Sequence, residues 1–184
     1  LETRHVSAHF TRRRRRRGSI YPQWPKLTAV CDVGSHLIVG AVVTRGPAPD
    51  SLEFVPVMRQ AGQHIQFAVV LADAGYDAEH NHRLCREDLG AATTIIPVNP
   101  RRFGDQEPRA RYRREMHTNF QRKTYGARWH VESAFSAFKR ILGSALRARK
   151  DDSLDRECLW RVITYNLTIL RFVLSRVSTE HLGS

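Results

Sequence analysis

Apolar and polar positions along the chain divide it into short runs separated by turn formers. Residues 27–33 (Leu-Thr-Ala-Val-Cys-Asp-Val) predict a strand, Gly34 and Ser35 a turn, and residues 36–44, with Leu37, Ile38, Val39, Val42 and Val43, a second strand. Together they predict a hairpin. Pro47 and Pro49 close that segment, and Asp50 is placed to cap a helix reaching about residue 60 through Leu52, Val55, Val57 and Met58. The continuous apolar run 67–72 (Phe-Ala-Val-Val-Leu-Ala) has the pattern of a strand buried on both faces, and it stops at Asp73. A helix over 77–88 follows, closed by Gly90. Residues 93–98 predict another strand, which Pro97 pushes to a sheet edge.

Residues 99–123 lack periodicity, whereas 124–149 and 153–176 carry helical patterns. In the last of these, Leu159, Val162, Ile163, Leu167, Leu170 and Val173 read as one broad apolar stripe. The order β–β–α–β–α–β, then long helices, implies an α/β fold with a mixed sheet flanked by helices. Residues 27–176 form the expected domain. Residues 1–26, with six consecutive arginines from Arg12 to Arg17, read as a flexible basic segment, and 177–184 as a tail.

Charge changes the picture more than composition does. Thirty Lys and Arg against eighteen Asp and Glu give a formal charge of +12 in 184 residues, so a polyanion is the expected partner and nucleic acid the first candidate. The basic residues cluster: Arg101, Arg102, Arg109, Arg111, Arg113, Arg114, Arg122 and Lys123 are offset only by Asp105, Glu107 and Glu115 within 99–123. That stretch is either a DNA-holding surface or a solvated loop. Cys31, Cys85 and Cys158 have no metal-ligand spacing and fit free thiols in a reducing compartment, hence a cytoplasmic location. No apolar run is long enough to span a bilayer.

The helix predicted over 124–149 carries the candidate chemistry. At 100° per residue, Tyr125, Arg128, Glu132 and Lys139 share one narrow stripe. Val131, Phe135, Phe138 and Leu142 form an apolar stripe roughly 80° round. The polar stripe should therefore border the buried face and project into a cleft. Ordinary i,i+4 pairing explains Arg128 with Glu132, but not the tyrosine or the distant lysine.

Read as Y-x2-R-x3-E-x6-K, with the flanking Arg140-Ile-Leu-Gly-Ser-Ala-Leu-Arg-Ala-Arg149 and with Arg161 and Tyr165-Asn-Leu167 further on, this segment resembles the signature of DDE transposases of bacterial insertion sequences, the Y-R-E-K group. Leu71-Ala-Asp73-Ala-Gly-Tyr76-Asp77 is similar to the family segment in which the second catalytic aspartate ends a core strand. The resemblance implies an RNase H-like core that performs metal-dependent phosphodiester cleavage and strand transfer with Mg2+ or Mn2+. It implies Asp73 and Glu132 as catalytic metal ligands, and Arg128 and Lys139 as phosphate clamps. Tyr125 would contact the same backbone or stack on a displaced base. Arg101, Arg102, Arg113 and Arg114 would hold flanking DNA, with transposon ends and target as partners, a homodimer at synapsis and a nucleoid-associated location.

Asp73, at the end of a buried strand, fits the ligand role better than Asp77, which reads as a helix cap. The family's first aspartate belongs just before a segment like Leu1-Glu-Thr-Arg-His-Val-Ser7, and no aspartate precedes Asp32. The expectation is an N-terminally truncated domain, its first strand missing and its sheet edge exposed, with a defective metal site. A rival reading lets Asp32 stand in for the lost ligand. Two other functions compete: an inactive remnant that only binds DNA, and a general basic nucleic-acid-binding protein with structural carboxylates.

Overall fold

A computed structural model describes residues 2–9, 24–46, 50–100, 107–143 and 145–181. Five strands form one sheet: β1 (Glu2–His9), β2 (Trp24–Asp32), β3 (Ile38–Gly46), β4 (Val69–Leu71) and β5 (Thr93–Ile95), in the order β3-β2-β1-β4-β5. β1 runs antiparallel to β2 and parallel to β4, β2 antiparallel to β3, and β4 parallel to β5. The predicted hairpin forms as β2 and β3, with a register shift at Val30/Cys31. β5 is an edge strand, as Pro97 suggested, and Pro97 itself lies outside it.

β1 corrects two expectations. Glu2–His9 is not irregular, and the first strand is not missing: it occupies the centre of the sheet, paired on both sides. Its sequence, Glu-Thr-Arg-His-Val-Ser-Ala-His, shows little apolar period, and strand pairing supplies the order that patterning does not. The arginine run 12–17 lies outside the described residues.

The helices cover both faces. α1 (Phe54–Gly62), preceded by a 3-10 turn at Asp50–Leu52, packs on one face with α2 (Glu79–Arg83), which continues as a π-helical turn over Leu84–Asp88. The other face takes α5 (Trp129–Leu142) and α6 (Asp151–His181). Between them lie α3 (Arg111–Thr118) and α4 (Arg122–Gly126). Strand alternation divides the core. Leu27, Ala29 and Cys31 of β2 pack with Val131, Phe135, Phe138, Cys158 and Tyr165, while Val30 packs with Phe54, Val57 and Met58 of α1. α1 lies so close to β3 that a Cβ at Gly40 would sit 2.9 Å from the Val57 carbonyl oxygen, so only glycine fits there. All three cysteines are buried free thiols.

α3 corrects the reading of 99–123 as irregular throughout. Tyr112 and Met116 are the only apolar residues on its buried side, too few for a period to show. The helix is held from outside itself. Asp77, buried to 1% exposure, accepts bonds from Arg113 Nε at 2.7 Å and Nη2 at 2.8 Å, and from the Asn99 backbone N–H at 2.8 Å. Glu79 accepts the backbone N–H groups of Tyr112 and Arg113. Asp77 is therefore not the helix cap expected; it anchors α3 through a buried ion pair.

The predicted helix 124–149 also breaks. Arg128 N–H bonds the Tyr125 carbonyl and Val131 N–H the Arg128 carbonyl, a three-residue reach that marks a tight turn between α4 and α5. α5 then stops at Gly143, whose φ of 75° suits glycine. Beyond it, Arg161 grips the Gly143 and Ala145 carbonyls, and Glu157 accepts the Arg147 and Ala148 N–H groups. These bonds from α6 fix the connection.

His82 is fully buried on α2, its Nδ1 2.6 Å from Thr94 Oγ1 on β5. Burial pushes its pKa down to about 4, against the opposing influence of Glu79 and Asp77. The neutral ring belongs to the fold, so its stabilisation is complete above the unfolded value near 6.5 and is lost as pH falls towards 4. A shift of that size corresponds to about 3 kcal/mol. Urea midpoints are expected to drop across that window, and His82→Asn should flatten the drop; an unchanged pH profile in the variant would contradict the assignment.

Candidate metal and DNA site

β4 carries Asp73 to the site. Val69 and Leu71 face the α3–α4 side, in a small core with Ile95, Met116 and Tyr125, while Val70 and Ala72 face α1. Asp73 keeps extended backbone angles (φ −70°, ψ 156°), so alternation brings its side chain out on the α4 side. There it meets Arg128, in the turn between α4 and α5.

The Arg128 guanidinium spans two carboxylates. Its Nη2 lies 3.1 Å from Asp73 Oδ2 and its Nη1 2.8 Å from Glu132 Oε1. The carboxylates are open to water, with side chains 56% and 61% exposed, whereas Arg128 is 25% exposed. A site expected in a cleft is instead an open shelf at the strand end. Tyr125 is half-buried beside it, its ring 5.1 Å from that of Phe120. Burial raises its hydroxyl pKa, with Asp73 and Glu132 adding to the rise and Arg128 opposing it.

Of the predicted stripe, then, Tyr125, Arg128 and Glu132 converge on Asp73. Lys139 is exposed on α5, two turns beyond Glu132, and makes no contact with that cluster. Arg113 is corrected: its guanidinium is committed to Asp77 at 8% side-chain exposure and cannot reach DNA. Arg114 is exposed, donating to the Pro108 and Arg109 carbonyls. Arg101 and Arg102 lie outside the described residues.

Asp32 does not join the site. It pairs across the sheet with Thr3, while Asp73 lies beyond the Arg4–Leu71 pair on the far side of β1. That separates them by two strand spacings, about 10 Å, and by about 10 Å along the strands. Asp32 Oδ2 instead accepts bonds from the Ser35 N–H at 2.8 Å and Oγ at 2.6 Å, the turn role the sequence suggested.

Two carboxylates gathered by one cation form a hard-oxygen donor set suited to a divalent ion. Among the described residues, no group of three His, Cys, Asp or Glu could hold a metal. The residues present fit a two-carboxylate platform and fall short of a three-carboxylate pair site.

A mixed five-stranded sheet in this order, helices on both faces and acidic residues at a central strand end define an RNase H-like α/β domain. The transposase DDE domain family model matches residues 3–167, and the chain belongs to that family. Its function is accordingly DNA transposition in general terms, in a family that uses divalent metal ions and binds DNA. No curated protein matches the chain significantly. No helix among the described residues is long and apolar enough to cross a membrane.

Proposed function

We propose that this domain serves DNA transposition by metal-dependent phosphodiester cleavage, with Asp73 and Glu132 as two of its metal ligands. The observation that carries the reading is Arg128, whose one guanidinium gathers both carboxylates from distant parts of the chain. When bound, a divalent ion supplies the charge that activates the attacking oxygen and stabilises the leaving one. Asp73 and Glu132 would hold it by their free carboxylate oxygens. With that site filled, Arg128 would be released from the two carboxylates, and its planar fork would be placed to grip a DNA phosphate. Tyr125, anchored on Phe120, flanks that phosphate. Lys139 contacts the DNA backbone further along α5.

Exposed Arg109, Arg111, Arg114, Arg122 and Lys123 extend a basic surface from this shelf, favouring the DNA-holding reading of 99–123 over a solvated loop. Arg101, Arg102 and Arg114 keep their proposed DNA role. With no third carboxylate meeting Asp73 and Glu132 among the described residues, the 184-residue polypeptide is expected to bind DNA far better than it cuts it.

Two measurements test this reading. Affinity for duplex DNA should fall linearly with salt on logarithmic axes, and Arg122→Ala with Lys123→Ala should lower the slope by about two. A slope unchanged in that variant would remove the basic surface from the account. Nicking of supercoiled plasmid in Mn2+ should stay near background. Strong nicking lost in Asp32→Ala would restore Asp32 as a ligand and overturn the geometry.

A further inference from the structure

The Arg128 guanidinium is committed twice over. Nη2 donates to Asp73 Oδ2 at 3.1 Å and Nη1 to Glu132 Oε1 at 2.8 Å. In this position its Nε–H is buried and finds no acceptor among the described residues. The two Nη groups are therefore the arms left for a two-pronged grip on a phosphate, and both are occupied. They occupy the carboxylate oxygens that a divalent ion would use as well. Neither carboxylate has another partner among the described residues, so Arg128 alone decides whether the pair is covered or open.

The hold on the carboxylates is weak. Both are more than half exposed, and ion pairs so open to water contribute little. The unpaired Nε–H weakens the position further. A charge-assisted, two-pronged bond to a phosphate is the stronger interaction. The Arg113–Asp77 pair shows what a structural clamp looks like in this chain, with both groups less than a tenth exposed. Arg128 differs on that count, and it sits in the turn between α4 and α5, where rotation of one long side chain suffices to free both carboxylates.

We infer that Arg128 is a latch: in the free chain it closes the Asp73–Glu132 platform, and a DNA phosphate that takes its guanidinium opens that platform to a divalent ion. This coupling rests on the metal and DNA reading proposed above, and adds that the two ligands bind cooperatively. Linkage makes it reciprocal, since the factor by which DNA raises ion affinity is the factor by which the ion raises DNA affinity. With one cation against two carboxylates, the closed platform carries one net negative charge, and the open one carries two. The domain thus holds its ion poorly until DNA is in place.

The latch has a consequence that needs no metal. In EDTA, Asp73→Asn with Glu132→Gln releases Arg128 and should raise affinity for a labelled duplex, read by fluorescence anisotropy. The same pair of substitutions is made in an Arg128→Ala chain, where only the general loss of negative charge remains. The gain should be at least about threefold larger with Arg128 present, and a smaller difference overturns the latch. Thermal unfolding reports that each protein is folded, and Arg128→Gln replaces Arg128→Ala should the latter not fold. Duplex DNA should also raise the Mn2+ affinity of the wild-type chain about 5–20-fold. Ions held by the DNA itself are subtracted using the Asp73→Asn, Glu132→Gln protein. An affinity that DNA leaves unchanged overturns the coupling. The two failures are distinguishable: no Mn2+ binding by the wild-type chain overturns the metal reading and the coupling with it, whereas equal gains in EDTA beside intact Mn2+ binding overturn the latch alone.

Discussion

Arg113→Ala is expected to destabilise the domain by about 3–5 kcal/mol, since it leaves the Asp77 carboxylate buried without its guanidinium partner. For a chain of this length that corresponds to a fall in melting temperature of roughly 10 °C or more. Arg113 and Asp77 are each less than a tenth exposed, and two hydrogen bonds join them at 2.7 and 2.8 Å. Asp77→Ala should cost a similar amount, and the double substitution much less than the sum, because the penalty of the orphaned charge is counted once. Thermal unfolding of the four proteins of this cycle reads the result directly. Additive losses would mean the two residues act separately, and would return Asp77 to the roles of cap or ligand that the sequence allowed. The pair also matters for function by position. It fixes α3 against the loop after Asp73, and α3 precedes the α4–α5 turn that holds Arg128.

The second large effect concerns Arg128. Its replacement by alanine should move two readouts in opposite directions. Mn2+ affinity should rise several-fold, because the guanidinium competes for Asp73 Oδ2 and Glu132 Oε1. DNA affinity should fall, by about 1.5–3 kcal/mol for one charge-assisted phosphate contact. A salt bridge serving stability alone would change neither, since pairs this exposed contribute about 0–1 kcal/mol. Losses in both readouts would show that Arg128 organises the carboxylates without competing for them.

Much of this was legible in the chain, and the exceptions have physical reasons. The β2–β3 hairpin, the strand ending at Asp73 and the edge position of β5 follow from apolar runs and turn residues, which are local signals. β1 was missed because a central strand need not be rich in apolar residues when pairing on both sides orders it. α3 was missed because its order comes from Asp77 and Glu79, distant in sequence. The spacing of Tyr125, Arg128 and Glu132 did foretell that the three side chains lie near one another. A tight turn at Ala127–Arg128 interrupts the predicted helix but keeps their neighbourhood. The commitment of Arg113 could not be read at all, because an arginine in a basic run looks the same whether it faces DNA or a buried carboxylate. The apolar positions of α6 were pooled for a related reason: periodicity reports which residues are apolar, and only packing separates Val162, which the core takes, from Leu159, Ile163, Leu167 and Leu170, which it leaves exposed.

The central claim is that Asp73 and Glu132 form a divalent-ion platform. Electron paramagnetic resonance titration of the free Mn2+ signal tests it most directly, on the wild-type chain, Asp73→Asn, Glu132→Gln and, as a control, Glu87→Gln at an exposed carboxylate paired with Arg83 elsewhere. The account predicts one class of sites in the wild-type chain and in Glu87→Gln, weakened at least about 10–100-fold by either Asp73→Asn or Glu132→Gln. Binding that both substitutions leave unchanged would contradict it.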